Sequence, residues 1–220
     1  TQSRSEVVGV GATPYVAFIE VDKSNGAITQ QHYVFVKHFD GSSWVSDGVA
    51  LNRDSGRYQG TPYSIATSVS MASDGGTAWV AWTEYTTNNN GSDTTGQVYV
   101  SKWNGTGWDR VGGSLNVDSA QLAADVTIAY LDGQPYVGWT ERSNSGNNLF
   151  FVKTFNGSTW VSVGALPLNR NTVSGWVFRP RLVADAGTHA VYAGWVEQQS
   201  IGIHPQAYVS RYSNGSWTAL

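Results

Sequence analysis

Short stretches in which apolar and polar residues alternate recur along the chain, and each has the length of a β-strand. Four of these stretches end in a glutamate that has an aromatic residue two positions before it. The pairs are Phe18 and Glu20, Trp82 and Glu84, Trp139 and Glu141, and Trp195 and Glu197. Successive glutamates are separated by roughly 60 residues, which predicts four copies of one repeated structural unit.

A second motif keeps the same period. A tryptophan follows an Asp-Gly or Asn-Gly pair, with an aromatic residue five positions before it; these tryptophans are Trp44, Trp108, Trp160 and Trp217. Asp-Gly and Asn-Gly favour the positive φ of a tight hairpin turn. Each tryptophan is therefore predicted to begin the fourth strand of its copy.

Four antiparallel strands in a unit of roughly 50 to 60 residues are typical of a β-propeller blade. We predict an all-β fold, a β-propeller in one domain or fragment, with blades at about residues 1–54, 55–118, 119–171 and 172–220. A small residue stands three positions before each glutamate, which predicts a close neighbour there; the four are Ala17, Ala81, Gly138 and Gly194. A β-sandwich is the structural alternative.

The fourth copy is predicted to be an incomplete blade. Three copies continue from the tryptophan through a glycine to a Leu-Asn pair, whereas the fourth has three residues after Trp217. Two explanations are open: the chain is a fragment of a longer array, or another copy of the chain completes the ring. Either leaves an edge strand that needs a cover.

Composition narrows the function classes. The 220 residues include no cysteine, which excludes a disulfide scaffold and a thiol enzyme. A net charge of −3 with dispersed Lys and Arg does not favour nucleic acid, and no apolar run is long enough for membrane insertion. The four histidines lack metal-ligand spacing, so no metal and no cofactor are predicted. Loops 22–26 and 86–96 resemble calcium sites only weakly.

The hairpin motif resembles the Asp-box of sialidase-like propellers. Three copies share its Gly-x-x-Trp half: Phe39-Asp-Gly-Ser-Ser-Trp44, Trp103-Asn-Gly-Thr-Gly-Trp108 and Phe155-Asn-Gly-Ser-Thr-Trp160. The Asp or Asn adjoins the glycine, however, and the Asp-box serine is missing. The whole repeat also resembles tandem propellers of secreted bacterial proteins. These resemblances imply a propeller located outside the cell or on its surface, often as a binding module.

A weaker resemblance is to fucose-binding propeller lectins, which place sugars between blades. It implies pockets made of an arginine, a carboxylate or amide, and a stacking aromatic residue. The candidate ligand-binding residues on this basis are Trp82, Glu84, Trp139, Glu141, Arg142, Trp195 and Glu197, although no arginine recurs beside the glutamates. The alternative for the glutamates is a structural role, because a position repeated in every copy usually serves blade packing.

One aromatic residue falls outside the repeat. Trp176 has no counterpart in the other copies and precedes Arg179 and Arg181, so it is a candidate for ligand stacking. Filling a gap between blades is its alternative role. No catalytic residues are predicted, although Asp22, Asp93, Asp118 and Asp125 could supply the paired carboxylates of a glycosidase.

The sequence therefore predicts non-catalytic recognition of a glycan or a surface protein, outside the cell or on its surface. The first alternative is a sialidase-like glycoside hydrolase, which needs paired carboxylates and clustered arginines. The second is a structural or assembly role, with a homo-oligomer or a continuing propeller as the partner.

Overall fold

The described residues fold entirely into β-strands, turns and loops. The structure is a computed structural model and describes residues 5–21, 32–53, 63–87, 93–200, 202 and 204–220. Sixteen strands and no helix occur in these ranges. The all-β prediction is confirmed, and a helical repeat is excluded for this part of the chain.

The strands follow the repeat, four to each blade. The first blade contains β1 (Ser5–Val10), β2 (Thr13–Val21), β3 (His32–Phe39) and β4 (Trp44–Ser46). The second contains β5 (Tyr63–Ser73), β6 (Ala78–Thr87), β7 (Asp93–Trp103) and β8 (Trp108–Arg110). The third contains β9 (Ala123–Leu131), β10 (Gln134–Arg142), β11 (Asn148–Phe155) and β12 (Trp160–Ser162). The fourth contains β13 (Trp176–Asp185), β14 (Ala190–Gln198), β15 (Gln206–Ser213) and β16 (Ser216–Ala219).

Consecutive strands pair antiparallel within every blade. The first and second blades share one hydrogen-bonded sheet through a single parallel pair, His32 with Ile65. The first strands of the first and fourth blades also approach each other, because Arg181 lies 4.0 Å from Glu6.

The hairpin before each fourth strand has the predicted turn chemistry. In the first blade, Asp40 accepts hydrogen bonds from the backbone N–H groups of Ser42 and Ser43, both at 2.8 Å. Asn104 and Asn156 make the corresponding bonds in the next two blades. The fourth turn is one residue shorter, and Asn214 and Gly215 both have positive φ there, at 53° and 80°.

The hydrophobic core lies between the blades rather than within one sheet. Three clusters of buried side chains join the first blade to the second, the second to the third and the third to the fourth. The small-residue prediction holds at Gly138, where a Cβ would lie 2.9 Å from Phe150. It is wrong at Gly194, where a Cβ would meet its nearest atom only at 3.9 Å.

The hairpin tryptophans join each blade to the blade before it. The indole N–H groups of Trp108, Trp160 and Trp217 donate to the backbone carbonyls of Asp47, Val111 and Val163, at 2.9, 2.8 and 2.7 Å. Each acceptor is followed by a glycine in the left-handed region: Gly48, Gly112 and Gly164. At Gly164 a Cβ would lie 2.8 Å from the Trp217 ring, so the glycine lets the indole approach.

Candidate ligand-binding groove

Three of the four repeated glutamates are buried and bind the chain that enters from the preceding blade. Glu141 accepts hydrogen bonds from the backbone N–H groups of Val117 and Asp118, at 3.0 and 2.7 Å, and from the indole of Trp139 at 2.9 Å. Glu84 and Glu197 accept equivalent bonds, from Arg53 in one case and from Arg170 and Asn171 in the other. Trp82 and Trp195 likewise donate to Glu84 and Glu197 at 2.9 Å.

The buried carboxylates have a clear structural function. Each satisfies backbone donors that would otherwise be buried without a partner, and a charged acceptor makes these bonds strong. Trp82, Trp139 and Trp195 are at most 3% exposed, as are their glutamate partners. The sugar-binding role of these six residues stays a prediction, and it would require a ligand to reach groups that backbone atoms already occupy.

Glu20 and Phe18 do not repeat this arrangement. Phe18 has no indole N–H to donate, and the Glu20 side chain is exposed at the end of β2. The first blade therefore presents its repeated glutamate to solvent.

The candidates outside the repeat lie on β13 and at the end of β10. Trp176 begins β13, is 41% exposed and stacks near Phe178 with ring centroids 6.5 Å apart. Arg179 is exposed and occupies a β-bulge with a φ of 50°, a conformation that favours glycine. Arg142 is exposed at the last position of β10.

The structure does not gather these candidates into one pocket with the glutamates. Arg181 lies beside Glu6 of the first blade, whereas Trp176 pairs with Gln198 of β14. Stacking of a ligand on Trp176 stays a prediction. The carboxylates named for a glycosidase are also dispersed: Asp118 accepts from Ala120, Asp125 lies on β9, and Asp22 and the Asp93 side chain lie outside the described residues.

A groove along the second blade was not predicted from the sequence. It has a volume of about 530 Å³ and is lined by Arg53, Thr95, Gln97, Tyr99, Gly113, Ser114 and Ser119. The Arg53 guanidinium donates to the Tyr99 hydroxyl at 3.3 Å. The Gln97 amide donates to the backbone carbonyl of Ser119 at 2.9 Å and accepts from Ser114. The polar groups are thus held in place by one another.

A second cavity of about 390 Å³ lies further along β7, beside residues 48–51 of the first blade. Its lining includes Trp108, Arg110, Ser101 and Thr106. The Arg110 guanidinium lies 4.8 Å from the Trp82 ring and 4.7 Å from the Tyr99 ring, and it donates to the carbonyl of Leu51 at 3.1 Å. Burial against these rings lowers the pKa of Arg110, and the charge of Glu84 acts in the opposite direction.

The arginine, tyrosine and glutamine of the groove, Arg53, Tyr99 and Gln97, have counterparts of the same types in the fourth blade. Arg170 lies over the Tyr208 ring at 5.5 Å, and the Tyr208 hydroxyl donates to Gln206 at 2.9 Å. Arg170 follows Leu168-Asn169 just as Arg53 follows Leu51-Asn52. The third blade instead has apolar residues at the three equivalent positions, Val117, Phe151 and Leu149.

The Leu-Asn-Arg sequence was the signal that could have revealed this groove. No arginine recurs beside the glutamates, because the recurring arginine follows the Leu-Asn pair of the preceding blade. It reaches the neighbouring tyrosine only after the chain crosses between blades.

The described residues contain no group of three or more His, Asp or Glu side chains that could hold a metal ion. Loop 22–26 lies outside these residues, as do residues 88–92 of loop 86–96, so the weak calcium prediction remains a prediction. Within the same ranges, the structure contains no helix that is long and apolar enough to cross a membrane.

Comparisons with solved structures identify the architecture. The chain superposes on a sialidase of Trypanosoma rangeli with a TM-score of 0.65 at 13% identity, covering 99% of this chain and 37% of that one. It superposes on a Hadza microbial sialidase with a TM-score of 0.63 at 10% identity, covering 99% and 45%. The fold is that of a sialidase-like β-propeller. The propeller thus spans less than half the length of these two enzymes.

An α-L-arabinanase of Penicillium chrysogenum, solved with arabinobiose, has the same fold. Its TM-score is 0.61 at 12% identity, and the alignment covers 99% of this propeller and 66% of the arabinanase. At such identities the likeness concerns the fold alone. No protein-family model matches the sequence, and no curated protein matches it either.

Proposed function

We propose that this propeller is a non-catalytic glycan-binding module that acts outside the cell or on its surface. The observation that carries the proposal is the groove lined by Arg53, Tyr99, Gln97 and Ser114. The solved structures with this fold include sialidases and an arabinanase complexed with arabinobiose, which are proteins of carbohydrate chemistry.

The groove suits a sugar in both size and chemistry. Its volume of about 530 Å³ falls in the usual range for small-ligand pockets. A guanidinium, a phenol, an amide and a serine hydroxyl offer both donors and acceptors to hydroxyl groups. Among its described residues the lining includes Arg53 and neither Asp nor Glu, which favours acidic sugars over basic ligands.

The same lining argues for binding rather than hydrolysis. Most glycosidases place two carboxyl groups about 5 to 9.5 Å apart on either side of the scissile bond. The part of the chain that the structure describes contributes no Asp or Glu to the lining of either cavity. The buried Glu84, Glu141 and Glu197 each face a different blade and accept hydrogen bonds from backbone N–H groups.

A glycan array with neutral and acidic oligosaccharides, followed by calorimetry on the hits, tests the proposal. Tyr99→Phe removes only the phenolic hydroxyl, and we expect affinity to fall about tenfold, the equivalent of roughly 1.4 kcal/mol. Because the Tyr99 ring lies in the core between blades, phenylalanine keeps its packing and the melting temperature should change little.

Tyr208→Phe is the matched control in the fourth blade, since the Tyr208 hydroxyl is bonded on both sides by Gln199 and Gln206. The glycan affinity of Tyr208→Phe should stay within twofold of the unmodified protein's if the groove at Arg53 and Tyr99 is the binding site. A glycan hit that Tyr99→Phe leaves unchanged would remove the groove from the proposal. Release of sugar from a bound oligosaccharide would overturn the non-catalytic assignment in favour of a hydrolase.

A further inference from the structure

The first blade has a free face, defined by Trp44, Glu20 and Lys37. These residues occupy the positions that Trp160, Glu141 and Lys153 occupy in the third blade. In the third blade all three side chains bind the segment 111–118, which ends the second blade. The first blade carries the same three groups with no such segment among the described residues.

The third blade shows what these three groups bind. Trp160 donates to the carbonyl of Val111 at 2.8 Å, and the Lys153 ammonium donates to the carbonyl of Leu115 at 2.7 Å. Glu141 accepts from Val117 and Asp118. One peptide segment thus meets an indole donor at its start, an ammonium donor in its middle and a carboxylate acceptor at its end.

The spacing of the three groups is therefore specific for a particular backbone. The segment bends at Gly112, whose φ is +75° and where a Cβ would lie 3.0 Å from the Trp160 ring. Leu115 is fully buried, and Asn116 fixes the end of the segment by accepting from Val98 and donating to Gly96. A Gly-x-x-Leu-Asn segment satisfies every one of these contacts.

The first blade presents the same groups in an accessible form. Trp44 is 47% exposed, whereas the three tryptophans that bind a segment are half-buried. Lys37 lies over Phe18 at 5.8 Å, the same distance as Lys153 over Trp139. Glu20 is exposed, and Phe18 packs near Phe35 where the other blades have an indole donor.

The described Gly-x-x-Leu-Asn segments cannot fill this face. The three of them, at residues 48–52, 112–116 and 164–169, already lie against the second, third and fourth blades. The third has one extra residue between its glycine and Leu168.

We propose that the free face of the first blade docks a Gly-x-x-Leu-Asn segment from a further blade of this repeat type. The partner is a β-propeller blade whose backbone offers two carbonyls and two N–H groups at the spacing of residues 111–118. This inference is independent of glycan binding, because the groove lies on the second blade.

A synthetic peptide with the sequence of residues 111–118 tests the docking. The protein is labelled with ¹⁵N, and the indole resonance of Trp44 is assigned by its loss in Trp44→Phe. We expect a saturable shift of that resonance alone, since the other hairpin tryptophans hold segments of their own chain. Glu20→Gln should weaken peptide binding about tenfold, because the amide accepts with one oxygen only.

The matched control is the same peptide with Gly112→Ala. A Cβ there would press on the indole and strain a positive φ, so binding should again fall at least tenfold. An unshifted Trp44 resonance at about 5 mM peptide, a concentration that would reveal millimolar affinity, overturns the proposal. Equal binding of both peptides overturns it as well.

Light scattering on the unliganded protein distinguishes the other occupant. A mass of two chains that returns to one chain in Trp44→Ala would show that a second copy covers the face. It would overturn docking of a Gly-x-x-Leu-Asn segment, because the described segments of this type are already held within each copy. A single-chain mass in both proteins, together with the peptide result above, supports the proposal.

Discussion

The first and third blades carry the same three contact groups in opposite situations. In the third blade, Trp160 and Glu141 hold a segment of the second blade, and that joint is part of the core. In the first blade, Trp44 and Glu20 are exposed. The comparison shows that the repeat places an aromatic donor and a carboxylate acceptor in each of these two blades, and that the end of the preceding blade supplies the backbone groups that they bind.

The same comparison explains why the repeated glutamates look functional in the sequence. A carboxylate that recurs in every blade suggests a ring of ligands, but each buried glutamate is occupied by backbone donors from its neighbour. Lys153 follows the same logic: burial lowers the pKa of its ammonium, the charge of Glu141 acts in the opposite direction, and a backbone carbonyl accepts its hydrogen bond.

Truncating the hairpin tryptophan should give the largest difference in lost stability between the third blade and the first. Trp160→Ala removes a half-buried ring that packs against the core and leaves the Val111 carbonyl without its donor, so we expect a loss of about 3 to 5 kcal/mol in the free energy of unfolding. Trp44→Ala should cost less than about 1 kcal/mol, because its ring is largely at the surface. Urea denaturation of both variants measures the difference, and equal losses would contradict the comparison.

Neutralising the glutamate should give the next largest difference. Glu141→Gln keeps the shape but replaces one acceptor oxygen by an NH₂ group that faces N–H donors, and we expect a loss of about 2 to 3 kcal/mol. Glu20→Gln should change stability by less than about 0.5 kcal/mol. Thermal unfolding of the pair at one pH measures both. A destabilised Glu20→Gln would show that the first blade already uses its carboxylate.

The smallest effect concerns the hairpin turns, where the first blade has Asp40 and the third has Asn156. Hydrogen bonds from the backbone N–H groups of Ser43 and Ser42 lower the pKa of Asp40 to about 2. Because the folded pKa is depressed, the stabilisation is present above the ordinary Asp pKa and is lost as pH falls from there through about 2.

Carbon-13 NMR titration of the Asp40 carboxyl measures this directly. The equivalent turn at Asn156 has no ionisable group, so Asp40→Asn should remove the pH dependence of the first turn while keeping its geometry. Titration of Asp40 at its ordinary pKa would show that the turn hydrogen bonds do not act on the ionised form.

Much of the fold could be predicted from the sequence because the glutamate motif and the hairpin-tryptophan motif recur along the chain. The period of the glutamates and hairpin tryptophans predicted the recurring antiparallel strands, and the Asp-Gly and Asn-Gly pairs predicted the turns before β4, β8 and β12. Gly138 was recognised as a close approach, whereas Gly194, at the same repeat position, has room for a larger residue. Periodicity predicts the position of a residue, but the size of its neighbour depends on packing.

The sequence by itself determined the strands, their turns and the four-fold repeat, since alternation and turn chemistry are local properties of the chain. Only the tertiary structure decided the partners: Trp108 binds a carbonyl at Asp47, and Arg53 reaches Tyr99 across the gap between blades. These contacts join residues 61 and 46 positions apart. Every residue type has a backbone carbonyl, so the residue types do not indicate which carbonyl a side chain such as Trp108 binds. That partner is fixed only when neighbouring blades pack.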